Sequence, residues 1–270
     1  MLARYGLSDT YIKHTPCTQS IYNQRLLDPV SPYAPIFEDN YTSQIGTLGC
    51  LRRTRPDLCV GLGVSQQFAK RGRHGPPHYR AVRNIMRYCK LTMHHGLVFQ
   101  SSWKGFRQPW IIGAHVDSDW AAWKGSRRSR TGWLIYLQKH LICFGSKLQG
   151  AVALSSTEAE YMALSHVIRL LLWIMHMIES LPGQFVQRPV RVHEDNRPTI
   201  NLANNHAASK FTRHIGIAHH FLRDHCTGEN KQFEITWIDG KSQKADGMTK
   251  PKTRAEFITF RDSVVSDLQL

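Results

Sequence analysis

The stretch LSSTEAEYMALS, residues 154–165, decides the fold. Ser155 stands three residues before Glu158, the spacing of a capping box, in which a hydroxyl and a carboxylate satisfy the first free amides of a helix. That start predicts a long helix over 156–180. The segments around it read differently. Upstream, short apolar runs at 111–116, 132–137 and 141–144 have the look of three strands, the last two separated by the turn-like Gln138, Lys139 and His140. Downstream come a strand at 190–193, helices over 197–203 and 215–225, a strand at 232–238 and a helical stretch from Arg254. This order is that of an α/β fold, a mixed sheet with helices on its faces.

The composition narrows the partners. The chain has 270 residues and a formal net charge of +15, from 35 Lys and Arg against 20 Asp and Glu. With 41% hydrophobic and 20% charged residues it can bury a core, which argues against wholesale disorder. The most apolar run, 164–181, is broken by His166, Arg169, His176 and Glu179, so no membrane span is expected. The opening MLARYGLSDT lacks the basic-then-apolar layout of a secretory signal. Six Cys are scattered without a CxxC pair, so neither zinc nor a disulfide framework is expected, and a reducing intracellular setting is. The surplus of positive charge calls for a polyanion, nucleic acid first.

That surplus is uneven. Residues 1–109 hold 15 Lys and Arg against 5 Asp and Glu, a net of +10, whereas 110–270 hold 20 against 15, a net of +5. Residues 1–40 mix Pro, Ser, Asn and Tyr with little periodicity and read as a connecting segment. Helices are expected near 42–53, 56–70 and 77–91. On the third, Arg80, Arg83, Arg87 and Lys90 fall within an arc of about 80°, opposite Ala81, Val82, Ile85, Met86, Tyr88 and Cys89; one face can pack while the other meets phosphates. A second basic group, Lys124, Arg127, Arg128 and Arg130, crowds the connection between the first two strands. It reads either as a phosphate-contacting loop or as an exposed solubilising one. Trp120, Trp123 and Trp133 flank it, for base stacking or for the core.

Four acids stand out by position: Asp117 at the end of the first strand, Glu160 in the opening turns of the long helix, Asp195 at the end of the fourth strand, and Asp246 in KADGMTK after the fifth. Strand ends and helix starts meet at one edge of an open α/β sheet. Gathered there, carboxylates repel and raise one another's pKa values, and divalent cations remove the problem. Each acid has a competing local use. Asp119 shares a strand face with Asp117, Glu158 suits the helix cap better than Glu160 does, and Asp195 and Asp246 could cap the elements that follow them.

Taken together, VDSDWA, RRSRTGWLIYL, ALSSTEAEYMALS, EDN, RHIGIAHHFLRD and ADGMTKP resemble the ribonuclease H domain at the C-terminal end of the polyprotein of copia-type LTR retrotransposons. Upstream, ARYGLSDTYIKHTP, YTSQIGTLGCLRRTRPDLCVGL and HYRAVRNIMRYCKLTMHHGL resemble the segment that links the reverse transcriptase palm to that domain. The resemblance implies a linker from the palm over 1–40, a helical thumb or connection remnant over 41–109, a ribonuclease H-like five-stranded mixed sheet over 110–250 and a C-terminal helix or tail over 251–270. Carried over residue by residue, it makes Asp117, Glu160, Asp195 and Asp246 the metal-binding carboxylates, and it resolves the choice of Asp117 over Asp119. It implies two Mg²⁺ ions, Mn²⁺ being an alternative, and hydrolysis of the RNA strand of an RNA/DNA hybrid. The implied setting is a polyprotein in cytoplasmic virus-like particles or in the nucleus, with no zinc and no membrane. Arg80, Arg83, Arg87, Lys90, Lys124, Arg127, Arg128, Arg130, Arg197 and Arg213 are the expected nucleic-acid contacts. Departures are visible. The Tyr-x-Asp-Asp of the polymerase is absent, Gly216 replaces an acid of the usual KHIDI, and Arg197 stands where Gln is more usual. Two further outcomes stay open: an inactive relic that keeps a nucleic-acid-binding fold, and an integrase-like enzyme, whose motifs the chain lacks.

Overall fold

The computed structural model describes residues 5, 11–19, 22, 40–69, 75–100, 108–122, 126–204 and 216–268, the side chains of 216–219 excepted. In chain order the elements are α1 (Tyr41–Gly49), α2 (Cys59–Gln66), α3 (Pro76–Leu91), β1 (His95–Gly96), β2 (Ile112–Asp119), β3 (Arg130–Leu137), β4 (His140–Leu148) and α4 (Ser156–Glu179). There follow β5 (Val190–Glu194), α5 (Arg197–Asn204), α6 (Gly216–Cys226), β6 (Phe233–Trp237), α7 (Arg254–Val264) and β7 (Ser266–Asp267). Short 3₁₀ turns precede α2 and follow β6. The chain divides into two compact units, Met1–Val98 with Lys250–Leu270, and Phe99–Thr249. The closing helix, read from the sequence as a separate tail, thus belongs with the N-terminal helices.

In the first unit, Pro76 and Pro77 open α3, where a missing amide costs nothing. The helix buries Ala81, Val82, Ile85, Met86, Tyr88 and Cys89 on the face opposite its arginines. A polar network is sealed beside it. Arg55 donates through Nε and Nη2 to the two oxygens of Asp57 (2.9 and 2.7 Å), and through Nη1 and Nη2 to the carbonyl and hydroxyl of Thr92 (2.9 and 2.7 Å). The Tyr88 hydroxyl donates to Asp57 Oδ2 at 2.6 Å; burial and then the Asp57 charge hold that hydroxyl well above its ordinary pKa, so it remains a donor. Phe257 of α7 meets the Tyr88 ring edge-on at 5.5 Å, and β7 pairs antiparallel with β1.

The second unit is a five-stranded mixed sheet in the order β4-β3-β2-β5-β6. β2, β3 and β4 form an antiparallel meander, while β5 and β6 run parallel to β2. The crossover from β4 to β5 carries α4. Ile112, Ala114 and Val116 of β2, Trp133 and Ile135 of β3 and Val190 and Val192 of β5 meet Leu164, Val167, Ile168, Leu171, Ile174 and Met175 of α4 in one core. Among the described residues, α4 is a helix long and apolar enough to cross a membrane by length and composition. Its apolarity serves this core. In the second unit the predicted elements agree with the observed ones except at strand ends: β2 continues to Asp119, β3 begins at Arg130 and β4 continues to Leu148, so Asp117 lies within its strand and not at the end. In the first unit β1 and β7 are not expected from the sequence, and the helices expected near 42–53 and 56–70 are α1 and α2 with 3₁₀ turns between them.

Replacing Asp57 by Ala leaves the Arg55 guanidinium buried without its carboxylate, and breaking a buried pair costs about 3–5 kcal/mol. The expected outcome of Asp57→Ala is faster hydrogen exchange at the α3 amides, by at least ~100-fold.

Candidate metal centre

Three elements bring carboxylates together. Asp117 lies on β2 opposite Gly132 of β3, Glu160 lies in the opening turns of α4, and Asp195 directly follows β5. One oxygen from each lies within 4.8 Å of the others; Asp117 and Glu160 are buried and Asp195 is half-buried. The neighbouring polar groups are taken up by local structure. Glu158 accepts from the Leu154 amide at 2.7 Å while its own amide donates to Ser155 Oγ at 3.1 Å, so Glu158 and Ser155 close the helix start. Asp119 accepts the backbone amide of Arg130, which closes the β2–β3 hairpin. The cap of α5 is Asn196, whose Oδ1 accepts from the Thr199 amide at 2.9 Å.

Asp246 stands in a 3₁₀ turn, Lys244–Met248, that two residues fasten to the sheet. Gln243 donates through Nε2 to the carbonyls of Val116 (2.9 Å) and His193 (3.3 Å), bridging β2 and β5, and its Oε1 accepts from His115 Nδ1 at 3.2 Å. Burial, then His193, push His115 down to about 4, so the ring is neutral and Nδ1 carries the proton this bond needs. Thr249 donates to Asp117 Oδ2 at 2.8 Å and lies 3.0 Å from the Asp246 carbonyl. Gly132 leaves room for the turn: a Cβ there would meet Met248 Cβ at 2.7 Å, Thr249 Cγ2 at 2.8 Å and the Ala245 carbonyl at 2.9 Å. Of the four acids that the sequence suggests, three meet and Asp246 is not one of that group. The sequence reading missed Gln243, Thr249 and Gly132, because nothing local to those residues shows what they touch more than a hundred residues away.

It missed Glu194 as well. This residue ends β5 fully buried, with Oε1 accepting the Asn196 amide at 3.0 Å and Oε2 buried without a hydrogen-bond partner. Burial first, then Glu194, Asp117 and Asp195, raise Glu160 well above the usual carboxylate range, and burial raises Glu194 in the same way. Glu160 Oε2 is also buried without a partner. A set of hard, dehydrated oxygen donors short of positive charge fits a divalent cation such as Mg²⁺.

The expected nucleic-acid contacts separate into groups. Arg80 and Arg83 are exposed on α3, whereas Arg87 is half-buried, donating to the Tyr11 hydroxyl at 2.9 Å with its guanidinium 4.1 Å over the Tyr11 ring. Lys90 is half-buried on the same helix. Arg127 and Arg128 are exposed ahead of β3. Arg130 corrects the expectation of a surface cation. As the first residue of β3 it is 1% exposed, with Nη1 donating to Ser146 Oγ at 3.3 Å, because the strand begins earlier than the sequence suggested. Arg197 is exposed at the start of α5, its guanidinium 4.6 Å over the Trp237 ring. Trp133 is a core residue, while Trp120 is 54% exposed and donates to the Ala153 carbonyl. Lys124, Arg213 and Trp123 lie outside the described residues.

Two outcomes follow from this geometry. Gly132→Ala overpacks the turn that carries Asp246, at a cost of about 1–3 kcal/mol, and is expected to weaken Mn²⁺ binding measured by calorimetry. Glu160 and Glu194 have raised folded-state pKa values, so their favourable contribution to stability is complete below the ordinary carboxylate pKa and is lost as pH rises through the folded one. In metal-free protein the gain in melting temperature from Glu194→Gln should therefore grow between pH 5 and pH 8. A gain that is flat across that range rules out the buried negative charge as its cause.

No family model matches the chain. It is 31% identical over 226 residues, 83% of its length, to the retrovirus-related Pol polyprotein from transposon RE1 of Arabidopsis thaliana, of which the match spans 15%. It is 31% identical over 225 residues, again 83% of its length, to that from transposon TNT 1-94 of Nicotiana tabacum, of which the match spans 16%. Among solved structures, LC11-RNase H1, isolated from compost, aligns with 52% of this chain and 92% of its own at 15% identity and a TM-score of 0.40. The chain belongs to the retrovirus-related Pol polyproteins of copia-type transposons, spanning about a sixth of the length of those relatives.

Proposed function

We propose that this chain is a ribonuclease H that hydrolyses the RNA strand of an RNA/DNA hybrid with two divalent ions, Mg²⁺ or in its place Mn²⁺. The observation that carries the reading is the meeting of Asp117, Glu160 and Asp195 within 4.8 Å, with a buried Glu160 oxygen left for a cation. These three residues, with Asp246, would hold the ions, whose chemistry is to activate a water and to stabilise the leaving oxygen of a phosphodiester. The protein supplies the rest. Thr249 orients Asp117, Gln243 fastens the Asp246 turn across β2 and β5, and the packing of α4 keeps Glu160 out of water. Arg127, Arg128 and Arg197 would neutralise backbone phosphates of the hybrid, Arg197 presenting a guanidinium held over the Trp237 ring. Arg80, Arg83, Arg87 and Lys90 would do the same on α3, in a segment left from a reverse transcriptase connection.

The test is cleavage of a fluorescent RNA/DNA hybrid in Mg²⁺ or Mn²⁺, alongside duplex DNA and single-stranded RNA. Asp117→Asn should lower the rate by more than ~100-fold while hybrid binding is kept, since even outer-shell partners of metal sites cost 10- to 100-fold. Hybrid binding without cleavage at any divalent ion concentration identifies the chain as an inactive relic. Cleavage that survives Asp117→Asn overturns the assignment of the site.

A further inference from the structure

A cavity of about 160 Å³ opens between the β3–β4 edge of the sheet and α4, and it contains none of the carboxylates described above. Lys147 pairs with Thr131 across β4 and β3, so both side chains lie on the face that α4 covers, and Gln149, two residues on, shares that face. His166 and Arg169, three residues apart on α4, approach from the other side. The lining therefore includes Lys147, Arg169 and His166 but no Asp or Glu. Lys147 and Arg169 are exposed, while His166 is half-buried with its ring edge-on to Trp133 at 4.9 Å. Its imidazole is pushed below the ordinary value by burial and then by the Lys147 and Arg169 charges.

The neutral groups are arranged to match. Gln149 is buried, and its Nε2 donates to Thr131 Oγ1 at 3.0 Å and to the Ala159 carbonyl at 2.9 Å. Accepting that bond leaves the Thr131 hydroxyl proton to give. Gln149 Oε1, which those two acceptors turn the other way, is buried without a hydrogen-bond partner. Two cations and a hydroxyl donor around a space several times the ~30 Å³ share of one water suit a tetrahedral oxyanion. The orphaned Oε1 suits a hydroxyl on or next to it.

We propose that this cavity is a phosphate-binding site separate from the metal centre, in which Lys147, Arg169 and Thr131 hold the phosphate oxygens. The phosphate is either a free phosphate ion or a group of a bound nucleic-acid backbone. The proposal stands whether or not the chain cleaves RNA, because its readout is binding.

The full chain is titrated with inorganic phosphate while the His166 ring is followed by NMR. Saturable shifts and a rise in the His166 pKa are expected. Lys147→Gln with Arg169→Gln should weaken phosphate by about 10-fold for each charge-assisted bond removed, and both side chains are exposed, so the fold is not at stake. In a second arm an RNA/DNA hybrid is added in Ca²⁺. If the hybrid displaces phosphate, and its binding loses about one unit of salt slope in the double variant, the site takes a backbone phosphate. If phosphate stays bound beside the hybrid, the site takes the free ion. The proposal is overturned if neither probe moves the His166 resonances, or if the double variant binds both as the wild type does. Phosphate binding that persists in Asp117→Asn separates this site from the metal centre, and phosphate binding lost in that variant overturns the separation.

Discussion

Negative charge gathered in a dry place is the constraint on which the second unit depends. Asp117, Glu160 and Asp195 come from three elements, and Glu194 lies fully buried beside them. Folding has to carry this repulsion, and the size of the apolar core shows how. Wrapping α4 over β2, β3 and β5 buries enough hydrocarbon to hold the acids in place. The same packing dehydrates them, which makes a cation welcome. The gathered acids therefore work against stability, as is common where an arrangement is one that folding alone would avoid.

The polar ties around the centre are as informative as the acids. Gln243 bridges β2, which carries Asp117, and β5, which leads into Asp195, and the Thr249 hydroxyl joins Asp117 to the turn that carries Asp246. Gly132 is the complement of these bonds, since any side chain there would enter the space that the turn occupies. Each of these residues acts by positioning another, and each is set by a contact distant in sequence.

Basic residues divide by burial, a property that composition does not carry. Arg55 and Arg130 are counted in the +15 net charge, yet both are inside the protein. Arg55 is balanced by Asp57 and Thr92 within the first unit, whereas Arg130 lies at the root of a strand beside Ser146. The cations available to a polyanion are a subset, with Arg80, Arg83, Arg127, Arg128 and Arg197 among the exposed ones.

The amino-acid sequence determined by itself the order of strands and helices in the second unit, the long helix opened by Ser155 and Glu158, and three acids that meet, because period, capping and motif are written in near neighbours. It also placed Asp246 in the segment that Gln243 and Thr249 fasten. Only the tertiary structure decided that Arg130 is buried, that Glu194 adds its charge to the centre, and that Gln243, Thr249 and Gly132 fix the fourth acid's turn. The reason is physical. Burial and electrostatic coupling depend on which residues the sheet order β4-β3-β2-β5-β6 sets side by side, an order that pairs Gly113 with Arg191 and brings Gln243, more than a hundred residues on, to the Val116 carbonyl.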